Sequence, residues 1–267
     1  MNKVILAFAI ALIVVSFAAS QTPLSKLVNI IKAEDARRYD KTLEDLIEDR
    51  SEDIKIRAIL AAGRIGDAKA VPRLAAMLEN GSPKVREMTA FALGEIESIN
   101  AADAILKAIK AETRAVANVP NVTARLIEAA GKIAAANPKD ANAADLGKAI
   151  LETLEAEFKL GSRQNRDVVL LGLTAALRAK PDKTDTVVAN FLTHPDARVR
   201  SDAANTLTRI RAKNANETLR KMLAVDSDPV ARANAARALG AAEDKGAIDL
   251  LIVAATEDKD SRVRVSA

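Results

Sequence analysis

The chain has 267 residues, with 40 basic and 36 acidic side chains, one histidine and no cysteine. Without thiols there are no disulfides and no thiolate metal sites, and one histidine excludes a multi-histidine metal centre. The net charge of +4 is spread as alternating signs along the chain, the pattern of a solvated helical surface and not of a nucleic-acid binder.

Met1 to Ser20 has the anatomy of a secretory signal peptide. Lys3 supplies the positive start, Val4 to Phe17 is apolar apart from Ser16, and Ala18-Ala19-Ser20 offers small residues before Gln21. The apolar run falls short of the roughly 20 residues a spanning helix needs. No cysteine follows it, so no lipid anchor can form there. The expectation is an exported protein, periplasmic or secreted in a bacterium, with no membrane attachment once residues 1–20 are removed.

Residues 24–49 read as the worn first unit of a repeat array. Leu24, Leu27, Val28 and Ile31 form one helical stripe, and Leu43, Leu46 and Ile47 form a second. The acidic run Glu44-Asp45, Glu48-Asp49, Glu52-Asp53 predicts a polar outer face that caps the array.

From Ile54 onward one unit recurs. It opens with an aliphatic residue and a base at Ile54-Lys55, Val85-Arg86, Val199-Arg200, Ala231-Arg232 and Val263-Arg264, with degenerate openings at Val122-Thr123 and Val168-Val169. The openings are 31, 37, 46, 31, 32 and 32 residues apart, close to a fixed period with insertions. A period in this range marks a solenoid, whose units pack only on their neighbours. Five residues after each opening stand Ile59, Ala90, Ile127, Leu173, Ala204 and Ala236. Eight residues after it stand Ala62, Leu93, Ala130, Ala176, Leu207 and Leu239. Apolar residues three or four apart share one face of a helix. Leu74/Leu78, Ile105/Ile109, Ile150/Leu154, Val188/Leu192, Leu219/Leu223 and Leu251/Ala255 mark a second helix in each unit.

Gly63, Gly94, Gly131 and Gly240 are expected between the two helices, where a left-handed residue often ends a helix. Asp67, Ser82 and Asp228 are predicted helix caps, and Pro83, Pro195 and Pro229 first-turn residues. Insertions are predicted at Lys110–Asn121, Ala135–Asp145 and Glu155–Asp167, making the middle the least regular part. Residues 257–267 begin a last unit that stops after about one turn, and this segment is expected to fray. The stop suggests a longer product.

This pattern resembles the HEAT repeat, most sharply in Ser82-Pro83-Lys84-Val85-Arg86 running to Phe91-Ala92-Leu93-Gly94-Glu95-Ile96, and in Asp228-Pro229-Val230-Ala231-Arg232 running to Ala238-Leu239-Gly240. The resemblance covers residues 24–267. It implies an all-α, armadillo-like α-solenoid of stacked antiparallel hairpins wound as a right-handed superhelix, occupying residues 21–267 in about seven units. It also implies a concave face lined by the second helices. Leu177 and Thr208 replace the glycine in two units.

No catalytic motif is visible. His194, the one possible base for a Ser/His/Asp arrangement, stands in the turn Thr193-His194-Pro195. Asp226/Asp228 and Asp258/Asp260 sit at capping positions and lack the rest of a calcium loop. No phosphate-binding glycine motif occurs. No cofactor and no metal are expected, and residues 1–267 are not expected to be an enzyme. The base after each opening recurs with the period, which favours a structural role: its stem covers apolar surface and its head bonds acidic caps.

The leading functional expectation is therefore a scaffold that binds another protein, or an adjoining domain of the same polypeptide, along the second-helix face. Arg73, Lys107 and Lys221 are its candidate contact residues. A basic stretch from Arg198 to Lys221, with seven bases and two acids, is a candidate meeting place for an anionic partner. A second expectation comes from Ile31-Lys32-Ala33-Glu34-Asp35-Ala36-Arg37-Arg38-Tyr39-Asp40 and Ala61-Ala62-Gly63-Arg64-Ile65-Gly66-Asp67. These segments are similar to the N-terminal HEAT region of exported bacterial cyclophilin-type peptidyl-prolyl isomerases. That resemblance implies a substrate-presenting arm whose catalytic domain lies beyond residue 267. No isomerase catalytic residue has a counterpart in this sequence.

Overall fold

The computed structural model describes residues 23–114 and 119–267. The signal segment 1–20, and part of the insertion at Lys110–Asn121, lie outside the described residues. Every regular element among the described residues is helical. The helices pair as α1 (Pro23–Asp35) with α2 (Lys41–Ile47), α3 (Glu52–Ile65) with α4 (Val71–Asn80), and α5 (Pro83–Ile96) with α6 (Ala102–Arg114). The next pairs are α7 (Pro120–Ala136) with α8 (Ala141–Lys159), and α9 (Arg166–Ala179) with α10 (Thr184–Ala189). Then follow α11 (Ala197–Ile210) and α12 (Asn216–Val225), α13 (Pro229–Ala241) and α14 (Ile248–Glu257), and a last helix α15 (Ser261–Ser266).

First helices pack on first helices, α1 on α3 and so on through α13 on α15. A single apolar core runs the length of the stack and contains the periodic residues: Ile59, Ala90, Ile127, Leu173, Ala204, Ala62, Leu93, Ala130, Ala176 and Leu239 are all fully buried. The second-helix stripe is buried as expected except at its end. There Leu251 is half-buried, Ala255 is exposed, and Ala254 enters the core instead.

Local signals act largely as predicted. Asp67 accepts from the Lys69 amide, Ser82 from Val85 and Asp228 from Ala231, each satisfying an orphan helix donor. Pro83 and Pro229 open α5 and α13, but Pro195 lies before the Asp196 cap of α11 and not in its first turn.

The glycines correct the sequence reading. Gly63, Gly94 and Gly131 lie inside α3, α5 and α7, not between helices. A Cβ on each would stand 2.7, 2.9 and 2.6 Å from the Cα of Ala92, Ala129 and Ala175 on the next first helix. Their absence of a side chain lets successive backbones touch, which is why alanine faces each of them. The left-handed residue of the turn comes later: Gly66 (φ 79°), Glu97 (57°), Lys180 (47°), Arg211 (52°) and Glu243 (57°).

Three further expectations are revised. The insertions at Ala135–Asp145 and Glu155–Asp167 are taken up mainly as extra helix, giving α7 17 residues and α8 19. The outer face of α1 is not a polar cap, since Leu24 is 71% exposed and Ile31 48%. Residues 257–267 do not fray: Asp260 caps α15, and Val263 is fully buried against the stack.

Candidate protein-binding surface

At Arg86, Arg200, Arg232 and Arg264, though not at Lys55, the recurring base has a defined job. Arg200 grips Asp226 through Nε–Oδ2 (2.7 Å) and Nη2–Oδ1 (2.6 Å), and its Nη1 donates to the carbonyls of His194 and Pro195. Arg232 repeats the arrangement on Asp258 (2.8 and 2.8 Å) and on the carbonyl of Asp226 (2.8 Å). Arg264 donates to the Asp258 carbonyl at 2.7 Å. Arg86 pairs with the buried Glu112, again 26 residues on. Arg200 and Arg232 thus tie the loop before each hairpin to the loop after it, in the planar two-pronged geometry only arginine offers. Burial pushes the Asp226 carboxyl up, but the Arg200 bond and the Asp228 amide outweigh it and hold it below its ordinary value. The Arg232 bond does the same for Asp258.

The ladder breaks in the middle. Thr123 stands where the base should be, and Glu157 is buried with, among the described residues, only the Asn165 amide donating to it, at 2.7 Å. Burial raises the pKa of that carboxyl. In the next unit Val169 replaces the base, and Asp196 is held by Arg166 instead at 2.7 Å.

His194 is part of a turn. Its Nδ1 accepts from the Asp196 amide at 3.0 Å, and burial lowers its pKa. Among the described residues no group of three or more His, Cys, Asp or Glu could hold a metal ion. No helix among them is long and apolar enough to cross a membrane.

Arg73, Lys107 and Lys221 all lie on second helices, and all have carboxylate partners. Arg73 on α4 reaches back to Glu44 (2.9 Å) and Glu48 on the α2 hairpin. Lys107 on α6 meets Glu79 on α4 at 2.5 Å, and Lys221 on α12 meets Glu217 one turn away at 2.7 Å. The structure brings Arg73 and Lys107 onto neighbouring helices; α8 and α10 separate Lys221 from them. Lys107 and Lys221 keep about seven-tenths of their side-chain surface exposed, whereas Arg73 keeps 33%.

Sequence reasoning missed a second cluster, on the rim where first helices end. Arg178, Lys180 and Lys183 stand at the α9–α10 turn, and Arg209, Arg211 and Lys213 at the α11–α12 turn. The two turns flank a recess of about 550 Å³. The basic stretch from Arg198 to Lys221 is a partial signal for it. Arg198, Arg200, Arg220 and Lys221 are committed to Asp202, Asp226, Asp244 and Glu217, leaving Arg209, Arg211 and Lys213. Spacing alone could not separate the committed bases from the others.

A family model for HEAT repeats matches residues 40–119 and 184–267. No curated protein matches the chain. Among solved structures, the complex of CpcE and CpcF of phycocyanin lyase from Nostoc sp. PCC7120 is similar, with 21% identity, 92% of this chain and 88% of that chain covered, and a TM-score of 0.50. Human deoxyhypusine hydroxylase in complex with glycerol is similar at 18% identity, with 92% and 96% covered and a TM-score of 0.38. At such identities the likeness concerns the fold alone, and a fold by itself does not fix an activity. These matches carry nothing about a peptidyl-prolyl isomerase.

Proposed function

Since the chain belongs to the family of HEAT repeats, we propose that it is a protein-interaction scaffold that holds a protein partner along the face of its second helices. The observation that carries this reading is the continuous stack itself: one unbroken core supports a long row of solvent-facing second helices, on which Lys107 and Lys221 stand exposed. The similar chain solved as part of a two-protein complex also supports it. Arg73 helps to shape that face by fixing α4 to α2, and Lys107 and Lys221 are its contact residues. The partner is a separate protein or a domain of the same polypeptide. The scaffold acts after export, a reading that rests on the signal-peptide anatomy of residues 1–20.

Photo-crosslinking residues placed at 73, 107 and 221 should capture one partner in cells, while the same group at Thr174, Asn205 and Arg237, on the exposed side of the first helices, should not. Equal capture from both sets would sink the proposal. N-terminal sequencing of the mature protein should begin at Gln21.

A further inference from the structure

The basic rim differs from the other charged parts of the described structure in one respect. Elsewhere many bases are matched across units, as Arg57 and Arg64 are with Glu34, Lys132 with Glu95, and Arg220 with Asp244. Among the described residues, unpaired ones such as Lys69, Lys245 and Lys259 stand at separate turns, whereas here six unpaired bases gather at two neighbouring turns. Arg178, Lys180, Lys183, Arg209, Arg211 and Lys213 are all exposed, and among the described residues no carboxylate lies within ion-pair distance of any of them. Two acids in the same recess, Asp182 and Asp185, leave it net positive.

Ordinary helix chemistry accounts for part of this. Arg178 and Arg209 occupy last turns, where a cation favours the negative end of the helix dipole. It does not account for the turn residues. Lys180 and Arg211 fill the left-handed slot that ends a first helix, and Arg37, Gly66, Glu97 and Glu243 fill the same slot elsewhere. A long side chain there costs backbone energy whatever its charge. The fold therefore does not choose the sign; the slot is glycine, acid or base in different units, and base in two adjacent ones. A position whose side chain varies from unit to unit on an invariant backbone is where a solenoid writes its specificity.

We propose that this rim binds an acidic, extended polypeptide segment, which lies across the α9–α10 and α11–α12 turns. This rests on the scaffold reading and gives its partner a chemistry. A polypeptide fits better than a nucleic acid for two reasons. No aromatic side chain lines the recess for base stacking. Asp182 and Asp185 also interrupt the positive surface, repelling a uniform phosphate backbone but accepting from the amides of a peptide. The track ends at the α9–α10 turn, because the neighbouring recess of about 570 Å³ against α8 carries Asp140, Glu152 and Glu155, with Lys148 paired to Glu152.

The test uses fluorescein-labelled poly-L-glutamate and the full mature chain at low salt, read by anisotropy. The K180E/K183E/R211E variant should bind at least tenfold more weakly with an unchanged melting temperature, because all three side chains are exposed. The K69E/K245E/K259E variant carries the same change in net charge at exposed lysines elsewhere and should bind as wild type does. Absence of binding by wild type, or equal loss in both variants, overturns the rim as a site. Tighter binding of an oligothymidylate or of phosphatidylglycerol vesicles, with the same dependence on the rim, overturns the assignment to a polypeptide. Crosslinking from residues 73, 107 and 221 separates the two proposals: partner capture there without polyglutamate binding leaves the scaffold standing and removes only the rim.

Discussion

The middle of the stack, from Val122 to Pro195, and the stretch from Val199 to its end are built on one plan but held together differently. In the middle, Gly131 lets α7 lie directly on Ala175 of α9, and Glu157 receives an amide where a later unit supplies an arginine. In the later stretch Thr208 takes the place of that glycine, and no neighbour lies within 4 Å of where a Gly240 Cβ would stand. There the loops are joined by Arg200–Asp226 and Arg232–Asp258. Backbone contact and paired charge are thus two ways of fixing one hairpin on the next, and the α5–α6 hairpin uses both, through Gly94 and through Arg86–Glu112. The first is a steric requirement and indifferent to pH; the second is electrostatic and sensitive to it.

The contrast is broken most severely at the glycines. Gly131→Val should destabilise the chain by about 3 kcal/mol or more, because its Cβ would press on backbone that cannot move aside. Gly240→Ala should be neutral or stabilise by about 0.5–1 kcal/mol, as in an ordinary helix. Urea denaturation of the two variants decides this, and similar midpoints would contradict a steric role for Gly131.

Removing a rung comes next. Arg232→Ala leaves Asp258, with 11% of its side chain exposed, without its guanidinium, which should cost about 2–3 kcal/mol. Arg232→Lys should recover less than half, since one ammonium cannot make both bonds. Hydrogen exchange should quicken in α13 to α15 first; uniform acceleration along the chain would argue against a local tie.

The pH response should divide along the same line. Asp226 and Asp258 are held below their ordinary value of 3.8, so their contribution is present above it and is lost as pH falls through their lowered folded values. Glu157 is raised above 4.5, so its contribution is present below that value and lost as pH rises through its folded value. Wild-type α8 should therefore exchange faster as pH climbs from 4.5, after correction for intrinsic rate, and Glu157→Gln should abolish that rise. A rise that persists in the variant would remove Glu157 as its source. The smallest effect is expected at the exposed Lys107–Glu79 pair, where Lys107→Ala should shift stability by no more than about 0.5 kcal/mol.

Much of the fold was legible because a repeat states its core positions several times over. Ile59, Ile127 and Leu173 were found by period and are buried. Caps such as Asp67 and Ser82 were legible because a cap acts within three residues of itself. The glycines were misread, since their contacts are with alanines of another unit, and nothing local distinguishes a turn glycine from one that admits a neighbouring backbone. The candidate site was legible only as composition. Arg200 and Arg211 look alike in the chain, yet one is locked onto Asp226 and the other faces solvent.

The sequence alone determined the hairpin, its apolar stripe and the order of the units, because periodic burial is dictated by the 3.6-residue turn of a helix. Only the tertiary structure decided which glycines admit a neighbour, which bases are already spent on a carboxylate and which remain for a partner. Those properties depend on distances between units that the chain brings together from about 26 to 44 residues apart, where no local rule reaches.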